Sequence, residues 1–215
     1  MSVFIIAEAG VNHNGKLDFA LRLCDAAKRA GVDAVKFQTF KTEKILTKTV
    51  ALADYQSENI KQEKNQFEMI KELELAYSDF EEIKRYCDKI GILFLSTPDE
   101  EDSLDFLVDR LKLDLVKVGS GEVTNIPYLR AIGKKRLPVI LSTGMSTLAE
   151  VARAYDELLV AGAARVDLLH CTTNYPCPMN EVNLNAMLTL RDAFKCAVGY
   201  SDHTIGLEVP VAAVA

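Results

Sequence analysis

The chain has 215 residues, 49% of them hydrophobic, with a formal net charge of −6. That is enough apolar material to bury a sizeable core in one domain. The acidic balance removes the broad basic footprint that nucleic-acid binding needs, which leaves a small molecule as the expected partner and room only for a local basic pocket.

In chain order, short apolar or β-branched runs alternate with segments of helical period, the pattern of a parallel α/β sheet. The first run is VFIIAEA, followed after Gly15 by a helix with Leu17, Leu21, Cys24 and Ala27 on one face. Lys28 and Arg29 close that helix, where cations favour the negative end of its dipole. DAVKFQ is the second strand. A polar excursion from Lys41 to Lys64 follows, then the spacing Phe67, Ile70 and Leu73, read as a loop with an added helix. Ser78 with Glu81, and Thr147 with Glu150, have the spacing of capping boxes, and Gly31, Gly91 and Gly162 stand where helices should stop. The remaining strands are ILFLS, LVKVGS, PVILS, DLLHCT and AVGYS, with no low-complexity tract or Gly/Ser linker to mark a domain boundary. The five cysteines, Cys24, Cys87, Cys171, Cys177 and Cys196, include no CxxC pair and indicate neither a disulfide framework nor a structural zinc site. They fit a reducing cytoplasm. The start MSVFIIAEAG lacks the features of a signal peptide, and no run approaches the roughly 20 apolar residues of a membrane span, so no membrane partner is expected.

The strands end on reactive or hydrogen-bonding side chains. Glu8 ends the first, Lys36 and Gln38 the second, Ser96 and Thr97 the third, and Lys117, Ser120 and Glu122 the fourth. Ser142 and Thr143 end the fifth, His170, Thr172 and Thr173 the sixth, and Ser201, Asp202 and His203 the seventh. In a (β/α)8 TIM barrel such ends share one rim, where active sites are assembled from several strands. A single polar strand end carries little weight, because any strand leaving a core tends to end that way; seven together carry more. His13, with His170 and His203, makes all three histidines members of these ends.

Lys36 and Lys117 lie inside apolar strands, where a cation is costly without a counter-charge. One reading is an ion pair, with Glu8 or Glu122 as partner. The other is an anion pocket, to which Ser120 in GSGE and Ser142 in STGM add hydroxyls and close backbone approach suited to phosphate. No Walker A sequence or GxGxxG fingerprint supports a nucleotide. His203 in GYSDHTIG could ligate a divalent metal with Asp202 in support, but no HxH or HExxH partner appears, so spacing alone favours a structural role.

The motifs AEAGVNHNG, AVKFQTF, STP, KVGSGE, LSTGM, LHCTTNYP and GYSDHTIG, in this order and spacing, resemble the sialic acid synthase family, the bacterial N-acetylneuraminate synthases and their legionaminate-forming relatives. The resemblance implies a (β/α)8 TIM barrel followed by a small antifreeze-like domain. It also implies condensation of phosphoenolpyruvate with an N-acylated mannosamine-type sugar to give a nine-carbon 2-keto acid, with release of phosphate. Carried over residue by residue, Lys36, Thr97, Lys117, Ser120, Ser142 and Ser201 resemble the phosphoenolpyruvate ligands, and Glu8, Glu122 and Tyr175 the sugar-holding residues. His203 resembles one ligand of a divalent metal, typically Mn2+, with Mg2+ or Co2+ as alternatives, and Glu8, Glu122 and His203 are the catalytic candidates. The family is cytoplasmic and usually a homodimer.

Three positions depart from the family pattern: Asp99 stands where phenylalanine is frequent, Asn174 where glutamate is frequent, and Thr173 replaces an asparagine of some members. They bear on the sugar substituent and part of the pocket, not on the reaction class. GLEVPVAAVA closes the chain in an apolar, helix-like segment, so the expectation is an incomplete barrel over residues 1–215. Seven strands are visible, and the chain is cut before the eighth strand, which carries a second metal histidine, and before the antifreeze-like domain. On that expectation the 215-residue chain alone is nearly inactive. Two other functions stand against the synthase: a Kdo-8-phosphate or deoxy-heptulosonate phosphate type of synthase, which needs a second anion site, and a non-catalytic sugar-binding fragment.

Overall fold

Parallel strands and helices alternate through the computed structural model, which describes residues 3–48 and 65–215. The chain divides into two compact units, Met1–Leu113 and Asp114–Ala215.

The first unit is a three-stranded parallel sheet in the order β1 (Ile6–Gly10), β2 (Ala34–Thr39), β3 (Leu93–Pro98). Helix α1 (Leu17–Ala30) connects β1 to β2. The short α2 (Thr42–Ile45), α3 (Gln66–Leu73) and α4 (Tyr77–Ile90) lie between β2 and β3, and α5 (Glu101–Asp105) follows, running into a π-helical turn at Phe106–Arg110. Period-two alternation sorts the strand residues. Val35 and Phe37 of β2 and Phe94 of β3 join one core cluster with Ala20, Cys24 and Ala27 of α1 and Phe80, Ile83 and Cys87 of α4. Each large apolar side chain buried there contributes about 1.5–3 kcal/mol. Lys36 and Gln38, on the other phase of β2, are turned to the opposite face of the sheet.

The second unit is a four-stranded parallel sheet in the order β4 (Val116–Val118), β5 (Pro138–Ser142), β6 (Arg165–His170), β7 (Val198–Tyr200). Its helices are α6 (Ile126–Lys134), α7 (Leu148–Ala161), α8 (Asn185–Phe194) and α9 (Glu208–Val214). An α/β fold built on parallel sheets is therefore what the alternation led one to expect.

Several local expectations hold. Thr147 and Glu150 form a reciprocal capping box at the start of α7, and Gly31, Gly91 and Gly162 cap α1, α4 and α7 in the left-handed conformation. The added helix around Phe67, Ile70 and Leu73 is α3; of the polar excursion before it, residues 49–64 lie outside the described residues. All five cysteines are free thiols. No helix among the described residues is long and apolar enough to cross a membrane.

Two local readings need correction and one, that of Lys28, is extended. Ser78 is not a cap: α4 begins at Tyr77, and Asp79 accepts from the Ala76 N–H (3.1 Å), because a carboxylate at the third helical position reaches back to an orphan donor regardless of the capping residue. Lys28 does not serve only its own helix, since its Nζ donates to the carbonyl of Gly91 at the end of α4 (2.8 Å). The fourth strand stops at Val118, and Ser120–Glu122 forms a 3-10 turn beyond it. Ser120 and Glu122 are therefore loop residues.

Candidate active site

In the first unit Glu8 and Lys36 are lateral neighbours in the parallel register. Their side chains form an ion pair, Lys36 Nζ to Glu8 Oε2 at 2.6 Å, with the Glu8 side chain half exposed. Lys36 also donates to Thr97 Oγ1 (3.3 Å), and both Lys36 and Thr97 are buried. The ion-pair reading of Lys36 is thus realised, and the pair stands beside the hydroxyl assigned from the resemblance. At the end of β3, Ser96 is occupied elsewhere: its hydroxyl bonds that of Thr39 at 2.7 Å.

The turn after β1 explains the histidine of AEAGVNHNG and the glycine that closes it. His13 is buried, and its Nδ1 accepts the N–H of Gly15 (3.1 Å). Burial lowers its pKa and favours the neutral ring. Gly15 has φ +68° and its α-carbon lies against the carbonyl of Glu72, so a side chain there would meet backbone. His13 is a brace of this turn.

In the second unit Lys117, a buried strand residue, donates from Nζ to Ser142 Oγ (2.7 Å) and to the carbonyl of Val118 (2.8 Å). Ser120 stands next to this pair in sequence and does something spacing did not reveal. Its Oγ accepts the N–H of Gly144 (2.9 Å) and lies 3.1 Å from the Sγ of Cys171. One hydroxyl therefore ties together the segments that follow β4, β5 and β6. Gly144 is required by this packing, because a Cβ there would meet Thr173 Oγ1, Cys171 Sγ and Ser120 Oγ. Thr173 Oγ1 is itself buried without a hydrogen-bond partner. Gly144 and Cys171 are the residues that the sequence reading missed; both lie inside quoted motifs, but no property of a lone glycine or cysteine announces such a contact. Glu122 accepts from Asn125 Nδ2 (2.7 Å), and Ser201, just past β7, donates its N–H to the carbonyl of His170 (2.9 Å).

The two remaining histidines, His170 at the end of β6 and His203 past β7, both bond to the loop between β6 and α8. A backbone carbonyl can only accept, which fixes both tautomers. His170 Nε2 donates to the carbonyl of Val182 (2.8 Å), and His203 Nδ1 donates to that of Thr172 (2.7 Å). His170 is thus a loop brace. His203 in its neutral form keeps Nε2 as a lone-pair donor, with the half-exposed Tyr175 ring 4.2 Å from its own. That state suits one metal ligand oriented by its other ring nitrogen. Among the described residues no group of three or more His, Cys, Asp or Glu side chains converges on a common point, so His203 fits as a single ligand. The same loop sits over a small apolar cluster of Cys177, Val182 and Val209. A groove of about 920 Å³ lies beside it, lined by Thr143, Cys171, Thr173 and Asn174 among others.

Comparison with known proteins supplies the family. The N,N'-diacetyllegionaminic acid synthase of Legionella pneumophila is 50% identical over 218 residues, covering 100% of this chain and 61% of that protein. The enzyme of the same name from Campylobacter jejuni is 47% identical, covering 98% and 64%. The chain therefore spans about three-fifths of the length of these curated relatives. The crystal structure of N-acetylneuraminic acid (sialic acid) synthetase from Leptospira borgpetersenii serovar Hardjo-bovis in complex with citrate superposes with a TM-score of 0.87 at 34% identity, covering 100% of this chain and 70% of that one. The sequence profile described as the NeuB family matches residues 23–215, and the chain belongs to that family.

Proposed function

We propose that the protein condenses phosphoenolpyruvate with an unphosphorylated N-acylated mannosamine-type sugar, forming a nine-carbon 2-keto acid of the N-acetylneuraminate or legionaminate kind and releasing phosphate. The observation that carries this reading is Lys117: a buried cation at the end of a strand, its ammonium on Ser142 and backed by the serine and glycine turns at 119–121 and 142–144. Membership of the NeuB family and the names of the most similar relatives support it. We also infer a (β/α)8 barrel as the fold of the domain to which this chain belongs.

In this reading Lys36, Thr97, Lys117, Ser120, Ser142 and Ser201 are the phosphoenolpyruvate ligands. The ammonium groups screen the phosphate and carboxylate charges, and the hydroxyls donate to their oxygens. Tyr175, Glu8 and Glu122 hold the sugar. Bound at His203, a divalent metal such as manganese would supply Lewis-acid polarisation of the open-chain sugar aldehyde. C3 of phosphoenolpyruvate forms the new bond to the aldehyde carbon, whose oxygen takes up a proton. Water adds at C2, and the C2–O bond to phosphate breaks to leave the keto acid. Glu8 or Glu122 orients a sugar hydroxyl or carries a proton in these steps.

Phosphate release decides between this and the phosphorylated-aldose synthases. With phosphoenolpyruvate present, release is expected with N-acetylmannosamine or a diacetamido hexose; release only with a sugar phosphate would overturn the proposal.

A further inference from the structure

The hydroxyl of Ser120 has two lone pairs and one proton. Gly144 N–H, at 2.9 Å, occupies one lone pair. Cys171 Sγ, at 3.1 Å, is the other polar neighbour, and either of the two atoms can be the donor. The two arrangements differ in what Ser120 can offer a ligand. If Ser120 donates to sulfur, its proton is spent on a weak acceptor. If the thiol donates to Ser120, both lone pairs are filled, and the one remaining hydrogen-bonding capacity of the serine is its own O–H. An anion needs the second arrangement.

We propose that Cys171 is a positioning residue of the anion pocket: its S–H and the Gly144 N–H both donate to Ser120 Oγ, so that the serine O–H is held ready as a donor to an anionic ligand. This rests on the reading of Ser120 as a phosphoenolpyruvate ligand. Three features favour it. Cys171 is 5% exposed, and its thiol lies on the Ser120 hydroxyl. Gly144 is packed so closely against Thr173, Cys171 and Ser120 that the N–H donor cannot swing away. Sulfur and oxygen stand 3.1 Å apart, within hydrogen-bond distance, so the thiol can reach the serine lone pair. Cys171 touches no reacting atom in this scheme and acts only through Ser120.

A double-mutant cycle tests the inference, using phosphoenolpyruvate and, separately, inorganic phosphate as titrants in calorimetry. Cys171→Ala should weaken phosphoenolpyruvate binding about five- to tenfold, the scale of one ordinary hydrogen bond. Cys171→Ser keeps a donor and should stay within about twofold of the parent. In the Ser120→Ala background, Cys171→Ala should change affinity by less than about twofold, because there is no hydroxyl left to orient. Near-ultraviolet circular dichroism confirms that each variant is folded, and the serine variant keeps the test open if the alanine variant is not. If Cys171→Ala binds like the parent, or if its loss persists undiminished without Ser120, the inference is overturned while the ligand reading of Ser120 stands. If Ser120→Ala alone leaves affinity unchanged, the ligand reading falls and takes this inference with it.

Discussion

Two polar clusters, one in each unit, use similar groups to opposite ends. In the first unit the Glu74 carboxylate, nearly buried, accepts from Thr42 N–H (2.9 Å), Thr42 Oγ1 (2.8 Å), Lys71 Nζ (3.0 Å) and Lys41 Nζ (3.3 Å). Four donors converge on this one carboxylate, three at Oε2 and one at Oε1. Lys41 also lies 4.1 Å over the Tyr77 ring, which stacks on Phe106. In the second unit the group of Lys117, Ser120, Ser142, Gly144, Cys171 and Thr173 is just as closely packed, yet Thr173 Oγ1 is buried with no partner and the proposal above leaves the Ser120 proton unspent. Donors gathered on one charge stabilise; a cluster that leaves a buried hydroxyl without a partner can bind.

The comparison can be broken most directly at Glu74. Glu74→Ala should lower the stability of the protein by about 3 kcal/mol, since the buried Thr42 N–H and hydroxyl lose their acceptor together with the Lys41 ammonium, while Lys71 keeps Glu43. A shift in the urea midpoint worth less than about 1 kcal/mol would contradict a structural role.

Acid should reveal the same group. Burial alone would raise the Glu74 pKa, but the Thr42 N–H, Lys71, the Thr42 hydroxyl and the Lys41 charge outweigh it and bring it to about 2. A depressed carboxyl contributes stability that is present above its unfolded pKa of about 4.3 and lost as pH falls toward about 2, worth roughly 2–3 kcal/mol by linkage. Denaturation midpoints measured from pH 5 to pH 2 should fall more steeply in the parent than in Glu74→Gln. Parallel curves would show that Glu74 titrates normally.

Lys117→Ala sharpens the other side. We expect phosphoenolpyruvate binding to weaken by about 1.5–3 kcal/mol, the worth of a charge-assisted hydrogen bond, with sugar affinity changed far less. Calorimetry on a folded variant reads this; unaltered phosphoenolpyruvate affinity would remove Lys117 from the pocket.

The smallest effect belongs to Glu8. Its side chain is half exposed, so solvent screens its ion pair with Lys36, and Glu8→Gln should change stability by no more than about 1 kcal/mol. If turnover falls while the denaturation midpoint holds, Glu8 serves substrate rather than the fold; a large loss of stability would place it with Glu74.

What could be read from the chain alone was whatever depends on neighbours in sequence. The alternation of apolar runs with helical period specified seven strands of parallel α/β type, and the phase of β2 put Lys36 and Gln38 on one face, because side chains alternate with period two. Gly31, Gly91 and Gly162 could be placed because left-handed caps demand glycine locally. The ordered motifs named the family, and its profile over residues 23–215 agrees. Tertiary structure decided which partner each polar group took. It turned Lys28 to the carbonyl of another helix, paired Lys36 with Glu8, made braces of His13 and His170, and put the sulfur of Cys171 on a serine 51 positions away. Hydrogen bonds act over about 3 Å, and which groups come that close depends on how strands and loops distant in sequence are packed.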